Sequence, residues 1–155
     1  MVQFSLISSG GDLAKKIKQA GNKYFSEEQI LEWFCQLLVA IKDIHDKKII
    51  HRDIKSQNVF LTKEGIIKLG DLNVSKVAKK GMLQTQTGTP YYCSPEVWKD
   101  KPYDSKCDIW SVGCVLYEMC TNEPPFKASD MQGLYKKIVS GTYPPLPPHY
   151  SNELS

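Results

Sequence analysis

Ile49-Ile50-His51-Arg52-Asp53-Ile54-Lys55-Ser56-Gln57-Asn58-Val59-Phe60-Leu61 is the stretch on which the reading of this chain turns. An acid, Asp53, is followed two residues on by a cation, Lys55, and three further by an amide, Asn58. Apolar runs flank all three, so one loop braced at both ends presents three different polar groups. Asp71 comes thirteen residues after Asn58, at the end of Ile66-Ile67-Lys68-Leu69, which follows a turn at Thr62-Lys63-Glu64-Gly65. Two short strands joined by a Gly-containing turn would bring Asn58 and Asp71 to one point. Two oxygen ligands on a hairpin suit Mg²⁺, which takes one or two protein ligands and fills its shell with water and phosphate.

Working outward, Asp12 to Gln19 reads as a short helix capped by Asp12 and ended near Gly21-Asn22. Ser26 opens the strongest helical pattern. Ser26 and Gln29 form a capping box, Glu27, Glu28 and Glu32 sit at the positive end, and Lys42, Lys47 and Lys48 sit at the negative one. Ile30, Phe34, Leu37, Ile41 and Ile44 make one apolar stripe about four turns long. Asp104 to Met119 is a second long helix through Ile109, Val112, Leu116 and Met119, apolar on most faces and therefore central, ended by Thr121-Asn122-Glu123-Pro124-Pro125. Met131 to Val139 is a further amphipathic helix, and Thr142 to Pro148 an extended Pro-rich connector. From Asp71 to Glu96 the pattern loses its period and fills with Lys, Gln, Thr and Gly, as a regulated loop does.

At 155 residues the chain is long enough for one domain with a real core. Its formal charge is +3, with basic residues scattered rather than massed, which argues against nucleic acid as a partner. Five cysteines without a CxxC pair imply a reduced protein, most of them serving as small buried apolar residues. Val2 to Ile7 lacks the basic flank of a signal peptide and nothing approaches a membrane span. These readings place the protein in the cytoplasm or nucleus, without a membrane partner.

His51-Arg52-Asp53 with Asn58, then Asp71-Leu72-Asn73, then Thr89-Pro90 and Ser94-Pro95-Glu96 resemble the catalytic loop, metal loop and end of the activation segment of eukaryotic protein kinases. Lys55, two past Asp53, looks like the serine/threonine class. Gly88-Thr89-Pro90-Tyr91-Tyr92 and the early Gly10-Gly11-Asp12-Leu13 look most like the NIMA-related kinases. The resemblance implies an α+β, mainly α-helical fold: a kinase C-terminal lobe with a short β-hairpin at its catalytic site. Residues 1–11 would be a hinge remnant and 12–155 the lobe, with the N-terminal lobe and the last helices missing. One apparent motif is refused by context. Val39-Ala40-Ile41-Lys42 spells the strand that anchors ATP in kinases, yet it is helical by period and no Gly-rich loop precedes it.

Roles follow from the resemblance residue by residue. Asp53 would accept or aim the substrate hydroxyl's proton, Lys55 would steady the transferred phosphoryl, and Asn58 and Asp71 would hold Mg²⁺ with ATP. Thr89 would help position the protein substrate, a Ser/Thr hydroxyl being the acceptor. Thr85, three residues before Gly88, is the expected activating phosphosite, with Thr87 second and Arg52 as the phosphate's partner. His51 is expected under the loop as a structural residue. Asp108 resembles the residue that ties down the catalytic-loop backbone. Glu96 resembles one buried against an arginine from later helices, whereas here Arg52 is the only arginine. Leu72 and Asn73 depart from the family's Phe and Gly, and both substitutions suit an apolar plug and a positive φ. The family also suggests a cytoskeletal association. Set against the kinase is a non-catalytic fragment of the same ancestry, a binding or scaffold module; these residues alone are expected not to phosphorylate protein and to pack loosely around Glu96 and the central helix. A small-molecule phosphotransferase would not need the Thr89-Pro90 and Pro95-Glu96 elements.

Overall fold

The computed structural model describes residues 10–70 and 90–155. Its elements are α1 (Leu13–Ala20), α2 (Glu27–Asp46), β1 (Val59–Leu61), β2 (Ile67–Leu69), α3 (Pro95–Trp98), α4 (Lys106–Thr121) and α5 (Met131–Ser140), with a single 3₁₀ turn at Ser56–Asn58 just before β1. The fold is thus α+β and mainly helical, its described strands forming one antiparallel pair in which Val59 faces Leu69 and Leu61 faces Ile67.

Local chemistry sets the helix ends. Asp12 caps α1 by accepting a hydrogen bond from the Lys15 N–H at 2.8 Å, and Gly21, at φ 60°, supplies the left-handed turn that closes it. Ser26 accepts from the Gln29 N–H at 3.3 Å. Only half of the expected capping box forms, because the Gln29 side chain donates forward to Glu32 Oε2 at 3.0 Å instead of reaching back. Glu27, at the positive end of α2, gains a second use. Its carboxylate accepts from the Ser151 N–H at 2.7 Å and from the Ser151 hydroxyl, which hold its pKa below the usual carboxylate value and tether the C-terminal stretch to α2. Helix α4 starts two residues later than the pattern suggests, since Asp104 Oδ1 accepts from the Lys106 N–H at 2.8 Å and so acts outside the helix.

The core lies between α2 and α4. Ile30, Trp33, Leu37 and Ile41 of α2 pack in one cluster with Val112, Val115, Met119 and Cys120 of α4 and with Ile54, Val59, Leu61 and Ile67 around the hairpin. Trp33 replaces Phe34 as the buried aromatic of the stripe, Phe34 and Ile44 being only partly buried. On α4 the expected Ile109 is 44% exposed whereas Val115 is fully buried. A second cluster joins Cys114 to Phe126, Leu134 and Ile138 of α5. The inner face of the central helix is packed in both clusters. Its outer face instead borders an apolar groove of about 430 Å³ between Trp110, Tyr117, Phe126, Tyr143 and Leu146. Lys42, in the refused ATP-anchor motif, lies exposed on α2 and pairs with Asp46 one turn on.

The hairpin has a neighbour that no side-chain pattern announces. Gly10 donates to Leu61 O at 3.2 Å, and the Leu61 N–H donates to Gly11 O at 2.9 Å, so the chain entering α1 lies along β1. A Cβ on Gly10 would stand 2.6 Å from Leu61 O and 2.8 Å from Thr62 O, both backbone atoms. Gly10→Ala should therefore cost about 1–3 kcal/mol, since overpacking against backbone cannot be relieved by a rotamer change. An unchanged denaturation midpoint would show that this edge is not held closely.

Candidate active site

The loop between α2 and β1 is built from below by a buried acid. Asp108, in the first turn of α4 and 1% exposed, accepts from the His51 N–H at 2.8 Å and the Arg52 N–H at 2.9 Å. Two successive N–H groups can reach one carboxylate because Arg52 adopts φ 68°, a left-handed conformation that L residues resist. His45, on the last turn of α2, adds a third bond to Asp108 at 2.8 Å through Nε2. His51 itself is fully buried. Its Nδ1 accepts from the Asp53 N–H at 3.3 Å, which leaves the ring proton on Nε2, and that N–H donates to Gly70 O at 2.9 Å. His51 thus bolts the loop to the end of β2 in a structural role.

Above this frame three polar side chains meet. Lys55 Nζ stands 3.1 Å from Asp53 Oδ2, and Asn58 Nδ2 donates to the same oxygen at 3.1 Å and to the Asp53 backbone carbonyl at 2.8 Å. Both side-chain contacts that the described residues make to the Asp53 carboxylate fall on Oδ2. The 3₁₀ turn Ser56–Asn58 makes the convergence possible by folding Asn58 back over Asp53. The Asn58 N–H donates to Lys55 O, and the Asn58 carbonyl accepts from the Gly70 N–H, each at 2.9 Å. With Nδ2 spent on Asp53, the Asn58 group that could serve a cation is Oδ1, a hard oxygen donor of the kind Mg²⁺ takes. The described residues hold no group of three or more His, Cys, Asp or Glu able to bind a metal.

Asp71, Thr85, Thr87 and Thr89, with Leu72 and Asn73, lie outside the described residues. Glu96 is half-buried in the first turn of α3. The Cys107 thiol shares its surroundings with Asp108, Glu96 and Arg52. Burial and then the two carboxylates push that thiol up to about 12. The Arg52 guanidinium lies 5.7 Å from the centre of the Tyr103 ring.

Sequence reasoning missed one cluster. Ser56, in the loop that carries Asp53, donates to Glu118 Oε1 at 3.1 Å, and Tyr92 Oη is in hydrogen-bond contact with Glu118 Oε2 at 2.7 Å. Ser111 donates to the Tyr92 carbonyl at 2.8 Å and fastens the same segment to α4. The available signal was a carboxylate set inside the apolar run Val115-Leu116-Tyr117-Glu118-Met119-Cys120.

A helical lobe whose central helix pins an acid–lysine–asparagine loop against a hairpin defines the class, the C-terminal lobe of a protein kinase. The protein kinase domain model matches residues 4–151, and the chain belongs to that family. It is similar to NIMA-related enzymes in particular. It is 52% identical over 147 residues to serine/threonine-protein kinase Nek1 of Mus musculus, covering 94% of this chain and 12% of that protein. It is 50% identical over 148 residues to Nek5 of Homo sapiens, covering 94% and 21%, and 47% identical over 148 residues to Nek4 of Mus musculus, covering 94% and 19%. The chain thus spans no more than 21% of the length of any of these three relatives.

Proposed function

We propose that this chain carries the catalytic lobe of a NIMA-related serine/threonine protein kinase, which moves the γ-phosphoryl of Mg-ATP to Ser or Thr hydroxyls of proteins. One observation carries the reading: Lys55 and Asn58 both converge on Asp53 Oδ2. That arrangement leaves Asp53 Oδ1 to take or aim the acceptor hydroxyl's proton. Lys55, anchored beside the base, is placed to balance charge on the transferred phosphoryl. Asn58 Oδ1 and Asp71 would hold Mg²⁺, which when bound neutralises phosphate oxygens. Thr89 would face the protein substrate. The described helices include none long and apolar enough to cross a membrane. Free cysteines throughout the chain suit a reducing compartment, cytoplasm or nucleus.

A chimera tests the reading. Mouse Nek1 with its aligned stretch replaced by this one should phosphorylate a generic acceptor protein on Ser or Thr. A chimera that folds and binds ATP but transfers nothing would favour the non-catalytic module of the same ancestry.

Regulation belongs to the same proposal. A phosphate on Thr85, or on Thr87, would add nearly two negative charges and three acceptor oxygens to a segment whose sequence also carries Lys76, Lys79 and Lys80, with Arg52 as the proposed partner. Thr85→Ala should lower the chimera's activity about tenfold or more, with Thr87→Ala having the smaller effect. If the double substitution leaves activity unchanged, the loop is not switched by phosphate at these positions.

A further inference from the structure

Glu118 forms a closed ring with two hydroxyls. Ser56 Oγ lies 3.1 Å from Glu118 Oε1, Tyr92 Oη lies 2.7 Å from Oε2, and the two hydroxyl oxygens are 3.1 Å apart. Each corner comes from a different part of the lobe: the catalytic loop, the segment before α3, and α4.

Counting protons separates two states of this ring. An ionised carboxylate only accepts. Both hydroxyls then spend their hydrogens on Glu118, and the Ser56–Tyr92 contact is left as two oxygens with no hydrogen between them. One more proton gives three donors for three contacts. Glu118 Oε2–H donates to Tyr92 Oη, Tyr92 Oη–H to Ser56 Oγ, and Ser56 Oγ–H to Glu118 Oε1. Such a ring is fully satisfied, and its members polarise one another.

Among the described residues, the groups around the ring supply no unpaired positive charge that would favour the ionised form. From the catalytic loop come Asp53 and Lys55, paired with each other at 3.1 Å. Tyr92 and Cys93 come from the segment before α3, and Cys114 from α4 one turn back. Burial holds the Cys93 thiol up at about 11 and the Cys114 thiol at about 12, so both stay neutral. Among the described residues no lysine, arginine or histidine pairs with Glu118. Burial pushes the Glu118 carboxyl above its ordinary 4.5, outweighing the two hydroxyl bonds.

We propose that Glu118 is a positioning residue that works as a neutral acid, its proton closing a Ser56–Glu118–Tyr92 ring that locks the catalytic loop to the segment before α3. The ring stands on the three distances and the proton on the count of donors they require; their effect on turnover rests on the kinase reading. Ser56 is next to Lys55 in the chain, so freeing Ser56 would let the Lys55–Asp53 pair drift.

Glu118→Gln imitates the neutral acid, since a carboxamide accepts from Ser56 through Oε1 and donates to Tyr92 through Nε2. Carbon-13 NMR of this chain, with the Glu118 carboxyl signal assigned by its loss in Glu118→Gln, should show a protonated acid at neutral pH. A carboxylate shift there overturns the proposal. Thermal unfolding gives a second readout. The unfolded chain releases this proton at about the ordinary 4.5 while the folded chain holds it to higher pH. The contribution to stability is therefore fully present below the ordinary value and is lost as pH rises through the folded one. Glu118→Gln has no proton to lose. Its Tm relative to the parent should rise across that window, and a Glu118→Gln chain that melts below the parent at neutral pH, or fails to fold, overturns the proposal. In the Nek1 chimera, Glu118→Gln should keep kcat within about twofold and flatten its fall at high pH, whereas Ser56→Ala should lower kcat about tenfold with KM for ATP unchanged. A chimera without any transfer would remove the kinase reading and leave the NMR and unfolding results standing.

Discussion

Asp108→Ala is expected to lower the stability of this chain by about 3–5 kcal/mol, the combined cost of two stranded loop N–H groups and an unsupported backbone conformation. The side chain is 1% exposed and receives the N–H groups of His51 and Arg52 and Nε2 of His45, all within 2.9 Å. Its removal strands two loop N–H groups that water cannot readily reach, each costing about 1–3 kcal/mol. It also removes what offsets the left-handed backbone at Arg52, worth on the order of 1–2 kcal/mol. A domain's whole stability is about 5–15 kcal/mol, so the loop should loosen before the helices do. Asp108→Asn keeps one acceptor but turns an NH₂ toward a backbone N–H, and should fall between parent and alanine. Denaturant titration of the three proteins reads the order. Equal midpoints for parent and Asp108→Ala would mean that the acid is not the loop's anchor.

The same residue shows where the sequence is readable and where it stops. Asp53, Lys55 and Asn58 fall within six residues, so a single tight turn makes their spacing meaningful without knowledge of the rest. Asp108 meets its partners across 56 and 57 residues of chain, and resemblance alone pointed to that contact. His45 had no signal, because an exposed-looking histidine at a helix end has many other uses. Period reading also blurs between neighbours. Trp33 and Phe34 both fit the apolar stripe of α2, and only packing against Phe25, 5.2 Å from Trp33 between ring centres, selects the tryptophan. On α4 nearly every position is apolar, so periodicity could not tell the exposed Ile109 from the buried Val115. The pairing of Gly10 and Gly11 with Leu61 uses backbone groups alone, for which there is no side-chain code. Glu118 was legible in principle, since a carboxylate inside an apolar run requires a partner, but nothing near it in sequence names Ser56 or Tyr92.

In the Nek1 chimera, Asp53→Asn should lower kcat by about 10²–10⁴-fold, the usual contribution of a positioned general base, while KM for ATP changes little. The geometry says why so small a change should do so much. At the Oδ2 position an NH₂ would face the Lys55 ammonium and the Asn58 Nδ2 group, donors against a donor. The amide must therefore place its oxygen there and present NH₂ where Asp53 Oδ1 now stands. A donor then meets the acceptor hydroxyl, which has a proton to lose and nowhere to put it. Nothing in this exchange touches the nucleotide, so binding of ATP should survive. Asn58→Ala should give the complementary pattern. It removes the oxygen proposed for Mg²⁺ together with both bonds to Asp53, so KM for Mg-ATP should rise along with a fall in kcat. Steady-state kinetics on the parent and the two variants separate these effects, and an Asp53→Asn chimera that turns over at the parent's rate would remove Asp53 from the role of base.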